Sequence, residues 1–205
     1  STVASASHLS PLAIIFRNTA GPSWVGNPPS KFQEVFARAR EMGLERVAHA
    51  GEEGPPSYIR EALDELQVCR IDHGVRAIED IELMERLADE GTVLTVSPLS
   101  NVRLKVVERL EDHGLPTLID AGLVVTINSD DPAYFGGGMR DNFAACQRAF
   151  GWSNETLKWL AGNAIEAAFM SETRRGELLE RLALWCSRYS PITALDQTNP
   201  DDGIT

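Results

Sequence analysis

The chain has 205 residues, 43% of them hydrophobic, and a formal net charge of −11. This is ordinary globular composition, enough for one domain with its own core or for part of a larger one, and it excludes a disordered chain. So acidic a chain has no broad electrostatic footprint for DNA or RNA. No apolar run reaches the roughly 18–20 residues that span a bilayer, and no basic stretch precedes the short apolar run of STVASASHLSPLAIIF. We therefore expect no nucleic-acid partner, no membrane partner and no secretory signal. Cys69, Cys146 and Cys186 are far apart and show no CxxC spacing. Buried or free thiols in a reducing cytosol are expected, and the expected location is cytoplasmic, with the nucleus as a second.

In chain order, LAIIF (12–16) is a candidate N-terminal strand. KFQEVFARAREMG (31–43) has the pattern of an amphipathic helix stopped by Gly43, and LERVAHAG (44–51) that of a short strand. PPSYIREALDELQ (55–67) is helical, with proline near its start where a missing N–H costs nothing. VCRIDHG (68–74) is a strand and IEDIELMERLADEG (78–91) a helix ended by glycine. TVLTVSPL (92–99) is a strand rich in β-branched residues. VRLKVVERLEDHG (102–114) and LPTLIDAG (115–122) are expected to be helical, and LVVTINS (123–129) is the last clear strand. A long helical region follows, from about Asp141 to Leu184. The polar stretch 187–205 is expected to be a disordered tail.

Strand–helix alternation with nearly all-apolar strands means parallel strands covered by helices. Four units are clear. A doubly wound open sheet and part of a (β/α)₈ barrel both fit, and no GxGxxG follows any strand to support a dinucleotide fold.

Every clear strand delivers polar groups at its C-terminal end. His49 and Glu52 close the first, Asp72 and His73 the second, Ser97, Ser100 and Asn101 follow the third, and Asp130 and Asp131 close the fourth. In parallel α/β folds that edge gathers ligands and catalytic residues. Each residue alone has an ordinary explanation: NSDDP can be a turn, and the acids of GEEGPP can serve a helix dipole. Four coincidences on one edge favour a site. His113, in EDHG, falls at a helix C-terminus on the opposite side of its unit and is expected to help terminate a helix. Histidine and aspartate converging without a cysteine ligand suit Zn²⁺ or a similar divalent ion, which activates water while a nearby carboxylic acid shuttles protons. Glu52 suits that task, because a turn at Gly51 can bring it off the strand beside His49.

The strings VGNPPSKF, AHAGEEGPP, RIDHGVRAIED, VSPLSNVRL and NSDDPAYFGGG, in this order, resemble the adenosine/adenine deaminase family of zinc hydrolases, most closely its adenine deaminase branch. The likeness runs from about Val25 to about Leu184. The fold it implies is a (β/α)₈ TIM barrel, of which this chain would be the C-terminal strands and helices: a divergent segment 1–24, the deaminase barrel part 25–186, and the tail 187–205. The function it implies is hydrolytic deamination of adenine to hypoxanthine and ammonia, in purine salvage, with Zn²⁺ as cofactor and a small-molecule purine as substrate. Carried over by motif, His49 and Asp130 would be zinc ligands. Glu52 would give a proton to N1 of the purine. His73 would orient and deprotonate the attacking water, and Asp131 would hold the purine through N7. The HxE and PCxxC signature of the cytidine-deaminase type is absent.

The family also draws two zinc ligands from an HxH pair on its first strand, and none of the four histidines here lies two from another. Trp24 stands where the family usually carries a glutamate. Two ligands make a weak zinc site. A half-barrel leaves two strand edges unpaired, which invites self-association or complementation by a separate N-terminal fragment. Alternative readings are a catalytically inactive remnant that acts only as an assembly partner, and a different metal hydrolase on the same barrel.

Overall fold

In a computed structural model, residues 26–188 are described, together with the backbone of a strand at Ala13–Phe16. That strand, β1, is the N-terminal strand suggested by LAIIF. The remainder of segment 1–24, and residues 189–205 of the tail, lie outside the described residues. Then come α1 (Gln33–Glu41), β2 (Glu45–Ala50), α2 (Pro56–Asp64), β3 (Arg70–His73), α3 (Ile81–Glu90), β4 (Val93–Val96), α4 (Pro98–Arg103), α5 (Leu115–Asp120), β5 (Val125–Ile127), α6 (Pro132–Phe135), α7 (Met139–Phe150), α8 (Asn154–Glu166) and α9 (Glu172–Arg188). The last helix runs two residues into the segment read as tail. No described helix is long and apolar enough to cross a membrane.

The five strands are all parallel and lie in the order β1-β2-β3-β4-β5. A doubly wound sheet would reverse its order at a switch point; sequential order with helical crossovers is the winding of a barrel. The fold is therefore part of a (β/α)₈ barrel.

Strand alternation divides the sheet into two kinds of row. Ala48, Ile71, Leu94 and Val125 are register partners across β2 to β5, and all are buried. They form one core with Ile59 and Ala62 of α2, Leu83 and Leu87 of α3, and Leu115 and Leu118 of α5. The next row, His49, Asp72, Thr95 and Thr126, is entirely polar. Three of its members, His49, Asp72 and Thr95, line a cavity of about 360 Å³ on the other face of the sheet, the side of the barrel axis.

The helices start and stop where local chemistry directs. Pro56 opens α2. Asp80 caps α3 by accepting the Leu83 N–H, and Gly91 ends it in the left-handed conformation.

One expectation needs correction. The helix expected over 102–114 does not form as such: α4 ends at Arg103, Lys105 is left-handed (φ 61°), and the chain runs as turns to a single 3₁₀ turn at Leu110–Asp112. Val102, Val106 and Val107 are weak helix formers, and Val106 packs against the core while its N–H bonds the Asn101 carbonyl. The long C-terminal helical region is three helices, α7 to α9, broken after Gly151 and at Ser171.

Candidate active site and metal centre

The strand ends turn sharply, and the turns carry the chemistry. Gly51 after β2 is left-handed (φ 67°), and a Cβ there would sit 2.3 Å from Ile59 Cδ1, so the position requires glycine. Two non-glycine residues share that conformation at strand ends: His73 (φ 68°) and Asp130 (φ 54°). Such backbone costs about 1–3 kcal/mol per residue and persists where surrounding structure over-determines it, most often at sites of function.

These turns bring three of the five expected site residues together. Glu52, His73 and Asp130 each offer a ligand atom, and the three atoms lie within 4.8 Å of one another. His73 Nδ1 is 3.1 Å from Glu52 Oε1, and its Nε2 is 3.9 Å from Asp130 Oδ2. His49 adjoins the group, its ring centroid 4.9 Å from that of His73. Its Nδ1 is buried without a hydrogen bond, 3.5 Å from Asp72 Oδ2. Asp131 stands apart. Its Oδ1 accepts from the Ala133 and Tyr134 N–H groups and caps α6, and it does not line the cavity.

Burial sets the charges. Glu52 is 5% exposed, and burial first, then the Asp130 and Glu53 carboxylates, push its carboxyl up to about 8 against the pull of the Asn101 amide. Glu52 is thus predominantly a neutral acid at pH 7. Burial, with His49 beside it, holds His73 well below the ordinary histidine value, so it is an uncharged base. The pair forms a proton donor beside a proton acceptor, a division of roles produced by environment alone.

Supporting side chains come from β4, from α4 and from the segment that follows α4. Ser100 Oγ donates to Asp130 Oδ2 at 2.8 Å, and Thr95 Oγ1 donates to Asp72 Oδ1. Asn101 Nδ2 donates to Glu52 Oε1 at 2.9 Å. His113 reaches Asn101 Oδ1 through its Nε2 at 3.1 Å. It is 4% exposed and not on the far side of its unit; it does follow the 3₁₀ turn, as expected of a terminator, but its ring points to the site. A sequence in which residues 102–114 look helical gives no sign of this. Ser100 and Asn101 were marked by the SPLSN string as polar groups at the edge, without a partner to assign.

The donor set fits a divalent cation. It combines imidazole and carboxylate, clustered, partly exposed at Asp130, with the His49 imidazole beside it, whose buried Nδ1 makes no hydrogen bond.

The adenosine deaminase family profile matches residues 19–185. The adenine deaminase of Rhodospirillum rubrum is 56% identical over 161 residues, 78% of this chain and 48% of that protein. The adenine deaminase of Streptomyces coelicolor is 57% identical over 148 residues, 72% of this chain and 44% of that one. Among solved structures, adenine deaminase from Arthrobacter aurescens superposes with a TM-score of 0.79 at 51% identity, covering 82% of this chain and 51% of that one. A zinc-bound amidohydrolase from Burkholderia ambifaria does so with a TM-score of 0.75 at 26% identity, covering 82% and 47%. The chain spans about half the length of the relatives it matches. With the family profile matched over residues 19–185 and sequence and fold shared over most of its length, this chain belongs to the adenosine deaminase family.

Proposed function

We propose that this chain carries the acid–base half of a zinc-dependent adenine deaminase, which hydrolyses adenine to hypoxanthine and ammonia. The observation that supports this most is the juxtaposition of two buried groups at one rim, Glu52 Oε1 3.1 Å from His73 Nδ1, where burial favours the neutral form of each. The adenine deaminases at 54–57% identity over this same region favour the free base as substrate.

The chemistry divides as follows. His49 and Asp130 would hold zinc on this chain, and the bound metal would supply an activated water and electrostatic stabilisation. His73 would accept a proton from the attacking water. Glu52 donates its proton to ring nitrogen N1, which makes C6 electrophilic. The water oxygen bonds to C6, and the C6–N bond breaks as the amine takes the proton held by His73 and departs as ammonia; the proton of the new C6 hydroxyl passes to Glu52, which leaves the C6 carbonyl of hypoxanthine and restores both residues. Asp131 would meet N7 with the carboxylate oxygen not used to cap α6.

The HxH ligand pair has no counterpart in these 205 residues, so a complete zinc site needs ligands from another polypeptide segment. The open edges of the described sheet, β1 and β5, are where such a segment would join. The alternative reading is a non-catalytic assembly partner. Purified chain with added zinc, alone and mixed with the N-terminal half of the R. rubrum enzyme, separates the two. Zinc uptake and loss of adenine absorbance, with turnover reduced about 100- to 10,000-fold by Glu52→Gln, are expected of the enzyme. Neither metal nor turnover in either preparation leaves only the assembly partner.

A further inference from the structure

We infer that His113 and Asn101 form a buried strut that fixes the orientation of the Glu52 carboxyl, and that both are positioning residues for its proton transfer. The transfer rests on the deaminase reading; the strut does not.

The strut begins at a group that cannot change role. The backbone N–H of Leu115, at the start of α5, donates to His113 Nδ1 at 3.0 Å. His113 is buried, and burial lowers its pKa to about 4, so at neutral pH it carries one ring proton. Nδ1 is occupied as an acceptor, so that proton is on Nε2, which donates to Asn101 Oδ1 at 3.1 Å. The Asn101 carbonyl is thereby used, and the side-chain amide has one way to face. Its Nδ2, wholly buried, donates to Glu52 Oε1 at 2.9 Å and lies 3.4 Å from His73 Nδ1. Each bond fixes the sense of the next.

At the far end, Glu52 is held by one oxygen. Oε1 receives the amide proton, so Oε2 is the oxygen left to exchange a proton with a ligand. Rotating the carboxyl to exchange the two would break a hydrogen bond between buried groups, which costs the full desolvation of the orphaned partner. The strut joins three stretches distant in sequence: the turn after β2, helix α4 and the entrance to α5. Its only non-local link to the catalytic pair is the Asn101 amide, so Asn101 should matter more than His113.

Nitrogen-15 spectra of the full chain test the strut directly. His113 is expected as the Nε2–H tautomer. Asn101→Leu, similar in volume and without a donor, is expected to shift the Glu52 carboxyl ¹³C signal and leave the circular dichroism spectrum unchanged. An Nδ1–H tautomer, or a Glu52 signal unmoved by Asn101→Leu, overturns the strut whether or not adenine is turned over. Should Asn101→Leu not fold, His113→Leu is read by the same Glu52 signal. In a preparation that deaminates adenine, Asn101→Leu lowers kcat about 100-fold with KM changed less than about threefold, the size of effect expected when a catalytic group is displaced. His113→Leu lowers kcat about tenfold, and His113→Gln, whose Nε2 can again donate to Asn101, restores most of it. Equal losses in the two His113 variants, or a loss confined to KM, overturns the positioning role. Absence of turnover in the wild type overturns the deaminase reading alone, because the spectra still decide the strut.

Discussion

The region from β2 to β5 and the C-terminal pair α8 and α9 are built on opposite terms. In the first, strand rows and helix faces meet in one core, and Ile59, Ile71, Leu83, Leu87, Leu94, Leu115 and Ile127 are fully buried. In the second, α9 buries none of its residues and α8 only Leu160, while Trp159, Leu184 and Trp185 are exposed. These helices are fastened by polar ties. Asn163 Nδ2 donates to the Val125 carbonyl, and Arg175 donates to the Ile165, Glu166 and Ala168 carbonyls at the end of α8. Arg70 of β3 donates to the Ala167 carbonyl and stacks over Phe169. Cations at a helix C-terminus stabilise by tenths of a kcal/mol to about 2, far less than a core does. The contrast teaches that the acid–base rim stands on a part of the barrel that holds itself together, whereas the C-terminal helices present apolar surface without covering it.

The largest test of that contrast is in the core. Leu94→Ala, in the middle of the apolar row, is expected to lower unfolding free energy by about 3–5 kcal/mol in urea titrations. A loss under about 1 kcal/mol would mean that β2 to β5 are not packed as a self-sufficient unit.

Next in size is a pH effect at His113. Its pKa is about 4 when folded and about 6.5 when unfolded. Between these values the unfolded chain binds more protons, so stability is complete above about pH 6.5 and is lost as pH falls toward 4. The loss attributable to this residue is about 3 kcal/mol. Unfolding curves at successive pH values should show it, and His113→Gln should flatten that part of the profile. An unchanged profile would place His113 outside the packed region, with the α9 side of the comparison.

Ser100→Ala probes the rim itself. Ser100 orients Asp130, and on the proposed assignment of Asp130 as a zinc ligand its removal should weaken zinc binding about tenfold by calorimetry. Stability should change by about 1 kcal/mol. Unaltered zinc affinity would separate Asp130 from the metal.

The two halves of the comparison also differ in how far sequence reveals them. Strands such as VCRIDHG and TVLTVSPL show themselves because β-branched apolar runs end abruptly in polar groups, and the parallel order follows from the alternation with helices. His49, Glu52, His73 and Asp130 are legible because each lies within a turn of a strand end. His113 is not, because its partner Asn101 is twelve residues away across a chain reversal, and V-R-L-K-V-V-E-R-L carries no glycine or proline to announce one. Asp131 shows the opposite limit. N-S-D-D-P reads equally as a turn and as a ligand set, and in the fold its carboxylate caps α6 while Asp130 joins the cluster. Spacing placed both acids at the rim, but only backbone conformation, left-handed at Asp130, separates their directions.

The smallest expected effect discriminates most about α9. Trp185 is 59% exposed and Leu184 58%, adjacent on the last helix described. In the isolated chain Trp185→Ala should change stability by less than about 1 kcal/mol, because 59% of the residue is already exposed in the folded chain. If the apolar face of α8 and α9 is where further barrel segments would rest, the same substitution should weaken association with the N-terminal half of the R. rubrum enzyme by about 1–2 kcal/mol, the range of an aromatic anchor at an interface. Titration followed by tryptophan fluorescence gives both numbers. A small loss in both settings makes Trp185 an ordinary surface residue and locates the joint at the β1 and β5 edges alone. A large loss in the isolated chain would show that α9 already packs within it, and the distinction between the two regions would vanish.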